Sequence, residues 1–241
     1  MALLELRRVS VFSGRRALCS DVSFTVERGT LVGLTGPSGS GHDVVLDAIS
    51  GLRPPDRGEV LFQGVRLGTL SPPERCRLGL VRVFARGPRP GDQARGNVLD
   101  HAAAGALART ADARVARELA ADPLRVVGLL ARAAHPVAIL SPVEQRRLAL
   151  ARALAARPEL VLVEEPLRGL EPEGCAAVSE LLQDLRRTGL TLLVAASDPR
   201  AALRLAERVV VLSGGEKVCE GTPQQVAEDR TVAAATLGEG A

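Results

Sequence analysis

Apolar and polar residues alternate through three stretches of the first third of the chain: LELRRVSVF (4–12), DVSFTVE (21–27) and RGEVLFQGVRL (57–67). A period of two puts successive side chains on opposite faces, so these stretches predict half-buried strands, with turn signals such as PPDRG between them. TLVGLTG is instead a short apolar run, and it enters a glycine cluster, GPSGSG (36–41). The periodic segment DVVLDAISGL follows and ends at Gly51, which predicts a helix. The local order is strand, glycine loop, helix.

The pattern changes near Arg86. RGPRPGDQARG is a polar linker rich in glycine and proline, and LDHAAAGALA, ARVARELAAD and PLRVVGLLARAA carry alanine-rich helical spacing. Residues 86–157 are therefore predicted as an all-helical subdomain. Its last helix begins at Ser141-Pro142-Val143-Glu144, with a serine N-cap, proline at the first helical position and glutamate at the third. After Pro158, LVLVEE and LTLLVAAS read as buried strands joined by a helix around GCAAVSELLQDLRRTG. ERVVVL reads as a further strand before the turn SGGEK, and the C-terminal PQQVAEDRTVAAATLGEGA as one short helix and a tail. Strands that alternate with helices predict an α/β core, residues 1–85 and 158–241, whose mainly parallel sheet is covered on both faces. An antiparallel β part lies at its N-terminal end.

Composition narrows the partners. A chain of 241 residues with 46% hydrophobic content holds one large domain with a real core. No stretch reaches the roughly 18 apolar residues of a membrane span, and the first residues lack a signal peptide's apolar core. The expectation is a cytosolic protein that meets a membrane only through a partner. Cys19, Cys76, Cys175 and Cys219 are scattered, without metal-ligand spacing, and read as free thiols. The net charge of +3 comes from arginines set singly among acidic residues, Lys217 being the only lysine. Aromatic residues are 2%, so stacking platforms for nucleic acid are lacking and no nucleic-acid partner is expected.

In order and spacing these elements resemble the ATP-binding-cassette (ABC) transporter ATPases over almost the whole chain. GPSGSGHD (36–43) stands where that family has its Walker A loop, LSPVEQRR (140–147) at the signature and LVLVEEP (160–166) at Walker B. RGLEP stands at the D-loop and VAASD (194–198) at the switch strand. LGLVRVFA with GNVLDHA, and the ending EGTPQQV…LGEGA, look like the importers of branched-chain amino acids. The resemblance implies a P-loop cassette that takes ATP and Mg2+, pairs head to tail with a second cassette subunit, and docks on membrane permease subunits from the cytoplasmic face.

Carried over residue by residue, the resemblance puts the phosphate cradle at Gly36, Pro37, Ser38, Gly39, Ser40, Gly41, His42, Asp43 and Val44. Backbone N–H groups at a helix N-terminus form such a cradle, and the three glycines are present. The family's lysine and Ser/Thr are here His42 and Asp43. The imidazole is shorter than a lysine chain and carries no fixed charge near pH 7. With Asp43 the pair is about two charge units more negative than Lys-Ser. Each unit pair near 4 Å is worth about 4 kcal/mol at an effective dielectric near 20, and two such losses approach a micromolar affinity of about 8 kcal/mol. Asp43 could also hold Mg2+ itself. Glu165 matches the general-base position, while Glu164 stands at the family's Mg2+ aspartate with one extra methylene.

Other family positions are altered in the same direction. The Q-loop glutamine aligns with Ala85, the switch histidine with Ser197 and the D-loop aspartate with Glu171. Two signature glycines are Pro142 and Val143; Ser141 remains, although capping alone explains it. The adenine-stacking aromatic aligns near Ser13, one residue from Phe12, which a core role explains equally well. Phosphoryl transfer is almost entirely positioning and electrostatics, so these changes predict slow or absent ATP turnover. Two other readings stay open: a working ATPase using Glu165 with Asp43 and Glu164 on the metal, and a regulatory protein that keeps the fold and binds no nucleotide.

Overall fold

The computed structural model describes residues 2–85, 96–229 and 232. Of the linker read at 86–96 only Gly96 is among them, and the end of the C-terminal tail lies outside them. The alternating N-terminal stretches pair as expected. β1 (Ala2–Ser13) runs antiparallel to β2 (Arg16–Glu27) and to β4 (Arg57–Phe62), and β5 (Val65–Arg66) completes a sheet of order β2-β1-β4-β5.

The second sheet has the order β10-β9-β3-β8-β7-β6. β3 (Leu31–Thr35), β6 (Leu80–Val83), β7 (Leu160–Glu164), β8 (Thr191–Ala196) and β9 (Arg208–Ser213) are parallel, and β10 (Glu216–Gly221) folds back antiparallel on β9. The core strands read as continuous apolar runs because both faces are covered. Leu160 and Leu162 belong to a core shared with Leu34, Val45, Leu46 and the β1–β2 sheet. Val161 and Val163, one residue out of phase, join the opposite core with Val178, Leu182 and the alanine-rich helices. The expected α/β architecture is present.

Eight helices occur among the described residues: α1 (His42–Ser50), α2 (Pro72–Arg77), α3 (Val98–Ala106), α4 (Ala113–Val126), α5 (Pro142–Ala155), α6 (Pro172–Arg187), α7 (Pro199–Leu205) and α8 (Pro223–Glu228). Helices α3, α4 and α5 pack on one another, and an added Cβ at Gly105 of α3 would lie 1.8 Å from the Arg152 carbonyl oxygen of α5. That seam requires glycine because backbone meets backbone. PLRVVGLLARAA is not a helix of its own. α4 runs through Pro123 to Val126, and a 3-10 turn follows at Leu130–Arg132. The break falls at Gly128, whose φ of 74° suits glycine and strains other residues.

The strand β6, the helices α2 and α7, and β10 were not read from the sequence. β10 grows directly out of the SGGEK turn, and α2 starts at Ser71-Pro72-Pro73-Glu74, the same capping pattern recognised at Ser141. Within α2, Arg75 is 1% exposed and its guanidinium donates to the carbonyls of Ala48 (2.7 Å), Ile49 (2.8 Å), Gly68 (2.9 Å) and Leu70 (2.8 Å). It thereby satisfies two carbonyls at the C-terminal end of α1, where orphan acceptors and the negative end of the helix dipole favour a cation. Burial pushes its pKa down from the ordinary arginine value.

The start of α5 is capped as the sequence predicts. Ser141 Oγ accepts from the Glu144 amide at 3.3 Å, and the Glu144 carboxylate accepts from the Ser141 amide at 2.9 Å. That amide holds the Glu144 carboxyl below the usual carboxylate range. Its stabilisation is therefore present above the unfolded-state pKa and is lost as pH falls through the depressed one. Ser141→Ala is expected to cost about 1 kcal/mol of stability, read from the urea midpoint at unchanged slope.

Candidate functional site

The glycine loop follows β3 and leads into α1. An added Cβ at Gly36 (φ 156°) would sit 2.0 Å from the Leu212 carbonyl oxygen, and one at Gly41 (φ 92°) 2.7 Å from that of Leu18. Only glycine fits either place. The Ser40 amide closes the loop on the Pro37 carbonyl at 2.9 Å. Gly41 occupies the N-cap position of α1 in a left-handed conformation, and no side chain caps the helix. The first-turn amides therefore face an open concavity with the positive end of the dipole behind them, an arrangement that fits a phosphate group. Val44, in that first turn, packs against the core instead.

Ser38, Gly39, His42, Asp43, Ala85, Glu164, Glu165 and Ser197 line one cleft of about 440 Å³, together with Phe84 and Arg168. His42 is 7% exposed, and its ring turns inward. Nδ1 bonds the Ser40 hydroxyl at 2.9 Å, and Nε2 lies 3.9 Å from Glu165 Oε1. Glu165 holds a left-handed backbone, φ 47°, uncommon for a residue with a side chain. Its amide continues the sheet by donating to the Ala195 carbonyl at 2.7 Å. Its Oε1 accepts from the Ser197 amide at 2.8 Å and from the Ser197 hydroxyl as well. Ser40, His42, Glu165 and Ser197 thus form one polar chain across the cleft floor.

Glu164 turns the other way. Its Oε2 accepts from Arg82 Nη2 at 3.1 Å, while Arg82 Nη1 reaches Asp47 of α1 at 2.6 Å and Ser50 Oγ at 3.1 Å. The Arg82 side chain is 6% exposed, and its guanidinium stacks 4.7 Å from the centre of the Phe84 ring. Arg82→Met would leave two half-buried carboxylates without their cation, and a loss of about 2–3 kcal/mol is expected in equilibrium unfolding.

A resident Mg2+ ion is less well served than a phosphate. The extra methylene at Glu164 leads the carboxylate to Arg82, and Asp43 stands exposed at the cleft edge. Among the described residues no three His, Cys, Asp or Glu side chains are grouped to hold a metal ion. The side chains present do not fit a dedicated Mg2+ site.

Arg146 of α5 joins the two rims of the cleft. Its guanidinium donates to the carbonyls of Ala85 at 2.5 Å and Arg168 at 3.1 Å. Burial lowers its pKa, and the nearby Glu165 carboxylate opposes that shift. Ser141 is spent on its cap and does not line the cleft. Phe12 is not brought there either. Its ring lies 5.6 Å from the Arg57 guanidinium over a separate groove that holds Arg7 and Asp21. Sequence reasoning missed Arg82, Arg146 and Arg168. The one available signal was Arg82, a charge inside the short apolar strand LVRV.

A parallel sheet with a glycine loop and uncapped helix N-terminus at its C-terminal edge defines a P-loop nucleotide-binding domain. Residues 19–168 match the family model described as ABC transporter, and the chain belongs to that family. It is 37% identical over 230 residues to the Fe(3+) ions import ATP-binding protein FbpC of Streptomyces coelicolor, covering 93% of this chain and 63% of that protein. It is 33% identical to the lipopolysaccharide export system ATP-binding protein LptB of Acidithiobacillus ferridurans, covering 98% and 97% of the two chains. A solved ATP-binding cassette of an ABC transporter, in its ADP conformation, superposes with a TM-score of 0.89 at 22% identity over 99% of both chains, a likeness of fold. These relatives include an importer and an exporter and do not single out the branched-chain amino-acid subfamily.

Proposed function

We propose that the chain is the ATP-binding subunit of an ABC transporter in which ATP hydrolysis is slow or absent. It pairs head to tail with a second cassette and docks on permease subunits at the cytoplasmic face. The observation that carries the reading is the state of Glu165 Oε1. The carboxylate oxygen that a hydrolysing cassette would offer to water already accepts two bonds from Ser197 and faces His42. No lysine stands in the loop to draw a terminal phosphate toward it. The loop amides bind the phosphates, and the polar chain from Ser40 to Ser197 holds the floor in place. The resemblance of LGLVRVFA, GNVLDHA and the C-terminal motif to amino-acid importers supports an amino-acid cargo, chosen by the permease.

Purified chain should release phosphate from Mg-ATP no faster than Glu165→Gln, alone or with its partner cassette. Turnover that Glu165→Gln abolishes would instead establish the second reading, an atypical ATPase. That reading is favoured by Asp43 and Glu165 lining the same cleft. An unchanged melting temperature in excess Mg-ATP would overturn nucleotide binding altogether, because a ligand bound only by the folded state raises stability.

A further inference from the structure

A second cavity, of about 210 Å³, opens on the other side of Phe84 and Ala85, against α5. Gln145, Leu148, Ala149 and Arg152 line it at the i, i+3, i+4, i+7 spacing of one helical face. Val137 and Leu170 add apolar wall. Its size has a useful comparison: an apolar protein cavity of about 150 Å³ accepts benzene. There is room here for a six-membered ring and a small substituent.

The chemistry of the wall is lopsided. Arg146 is satisfied by two carbonyls, but Arg152 has neither a hydrogen-bond acceptor nor a carboxylate among the described residues. Burial lowers its pKa and no neighbouring charge opposes the shift. A half-buried guanidinium without a counter-charge is costly, and buried charges are ordinarily paired. A neutral apolar guest would fill the space and leave that cost in place. A polyphosphate would meet too many apolar side chains.

We propose that this cavity binds a small monocarboxylate with a compact apolar body, its carboxylate on the Arg152 guanidinium and its body against Leu148, Ala149 and Val137. Phe84, Ala85 and Arg168 are shared with the cleft described above, so an occupant braces a wall common to both. The inference does not depend on nucleotide binding.

The test is calorimetric titration and thermal melting of the full chain with benzoate, and with benzamide as the uncharged isostere. Benzoate should bind and raise Tm; benzamide should bind at least about tenfold more weakly, the effect of losing one charge-assisted pair. Arg152→Met and Arg152→Gln, measured separately so that either suffices, should weaken benzoate by a similar factor while melting at or above the wild-type temperature. Ala149→Leu, which fills the space, should abolish binding and keep cooperative unfolding. Equal benzoate affinity in the wild type and an Arg152 variant, binding that survives Ala149→Leu, or no heat from benzoate or hexanoate at millimolar concentration would each overturn the proposal.

Discussion

The double variant His42→Lys/Asp43→Ser is expected to bind ATP at least about a hundredfold more tightly than the wild-type chain, a change of about 3 kcal/mol. The loop backbone already has the shape to receive phosphate: Gly36 and Gly41 hold positions open to no other residue, and α1 starts without a side-chain cap. What opposes a polyanion is the pair of side chains. The His42 ring is drawn inward to Ser40 and Glu165, and Asp43 stands exposed on the cleft wall. Restoring a cation and removing an anion changes the local balance by two charges, up to about 8 kcal/mol at close range and less at an open cleft, where solvent screens. Calorimetric titration with Mg-ATP and Mg-ADP measures it. If the double variant binds no more tightly than the parent, the weakness lies in the loop backbone and not in these two residues.

The largest stability loss is expected from Arg75→Met, about 3–5 kcal/mol, enough to unfold a marginal domain. The side chain is almost wholly enclosed and serves four carbonyl oxygens. Methionine keeps much of the volume, so the change isolates the lost hydrogen bonds from a cavity. Each carbonyl left buried without a donor costs about 1–3 kcal/mol, moderated where water reaches it. Urea unfolding of the two proteins measures the difference. A loss under about 1 kcal/mol would mean that water or a shift of α2 replaces the guanidinium at little cost. Because Ala48 and Ile49 end the helix that begins at the glycine loop, the variant should also weaken any phosphate binding there.

How legible these features were depends on sequence separation. The cap at Ser141 lies within four residues, and its spacing identifies it without the fold. The same spacing at Ser71-Pro72-Pro73-Glu74 is harder to read because the helix it opens is only six residues long, too short to show a period. Four of the five parallel strands, β3, β7, β8 and β9, were clear as apolar runs, and their alternation between two cores follows from the pleat; β6, four residues long with Arg82 inside it, was not. The arginines were not legible. Arg82 meets Asp47 and Glu164 across 35 and 82 residues, and Arg146 reaches Ala85 across 61. Nothing local marks such partners. Glu164 shows the consequence: by sequence it stands at a metal position, and in the fold its longer chain reaches a buried guanidinium.

Arg146 also bears on how the molecule opens. One planar guanidinium holds the carbonyl that follows β6 and the carbonyl that precedes α6, from a helix belonging to neither. Three segments far apart along the backbone are thereby latched to a single point, so they should breathe in concert. Hydrogen exchange at the bonded amides of Arg168, Leu170 and Gln145 should share one opening free energy, and Arg146→Met should split it into separate, faster events.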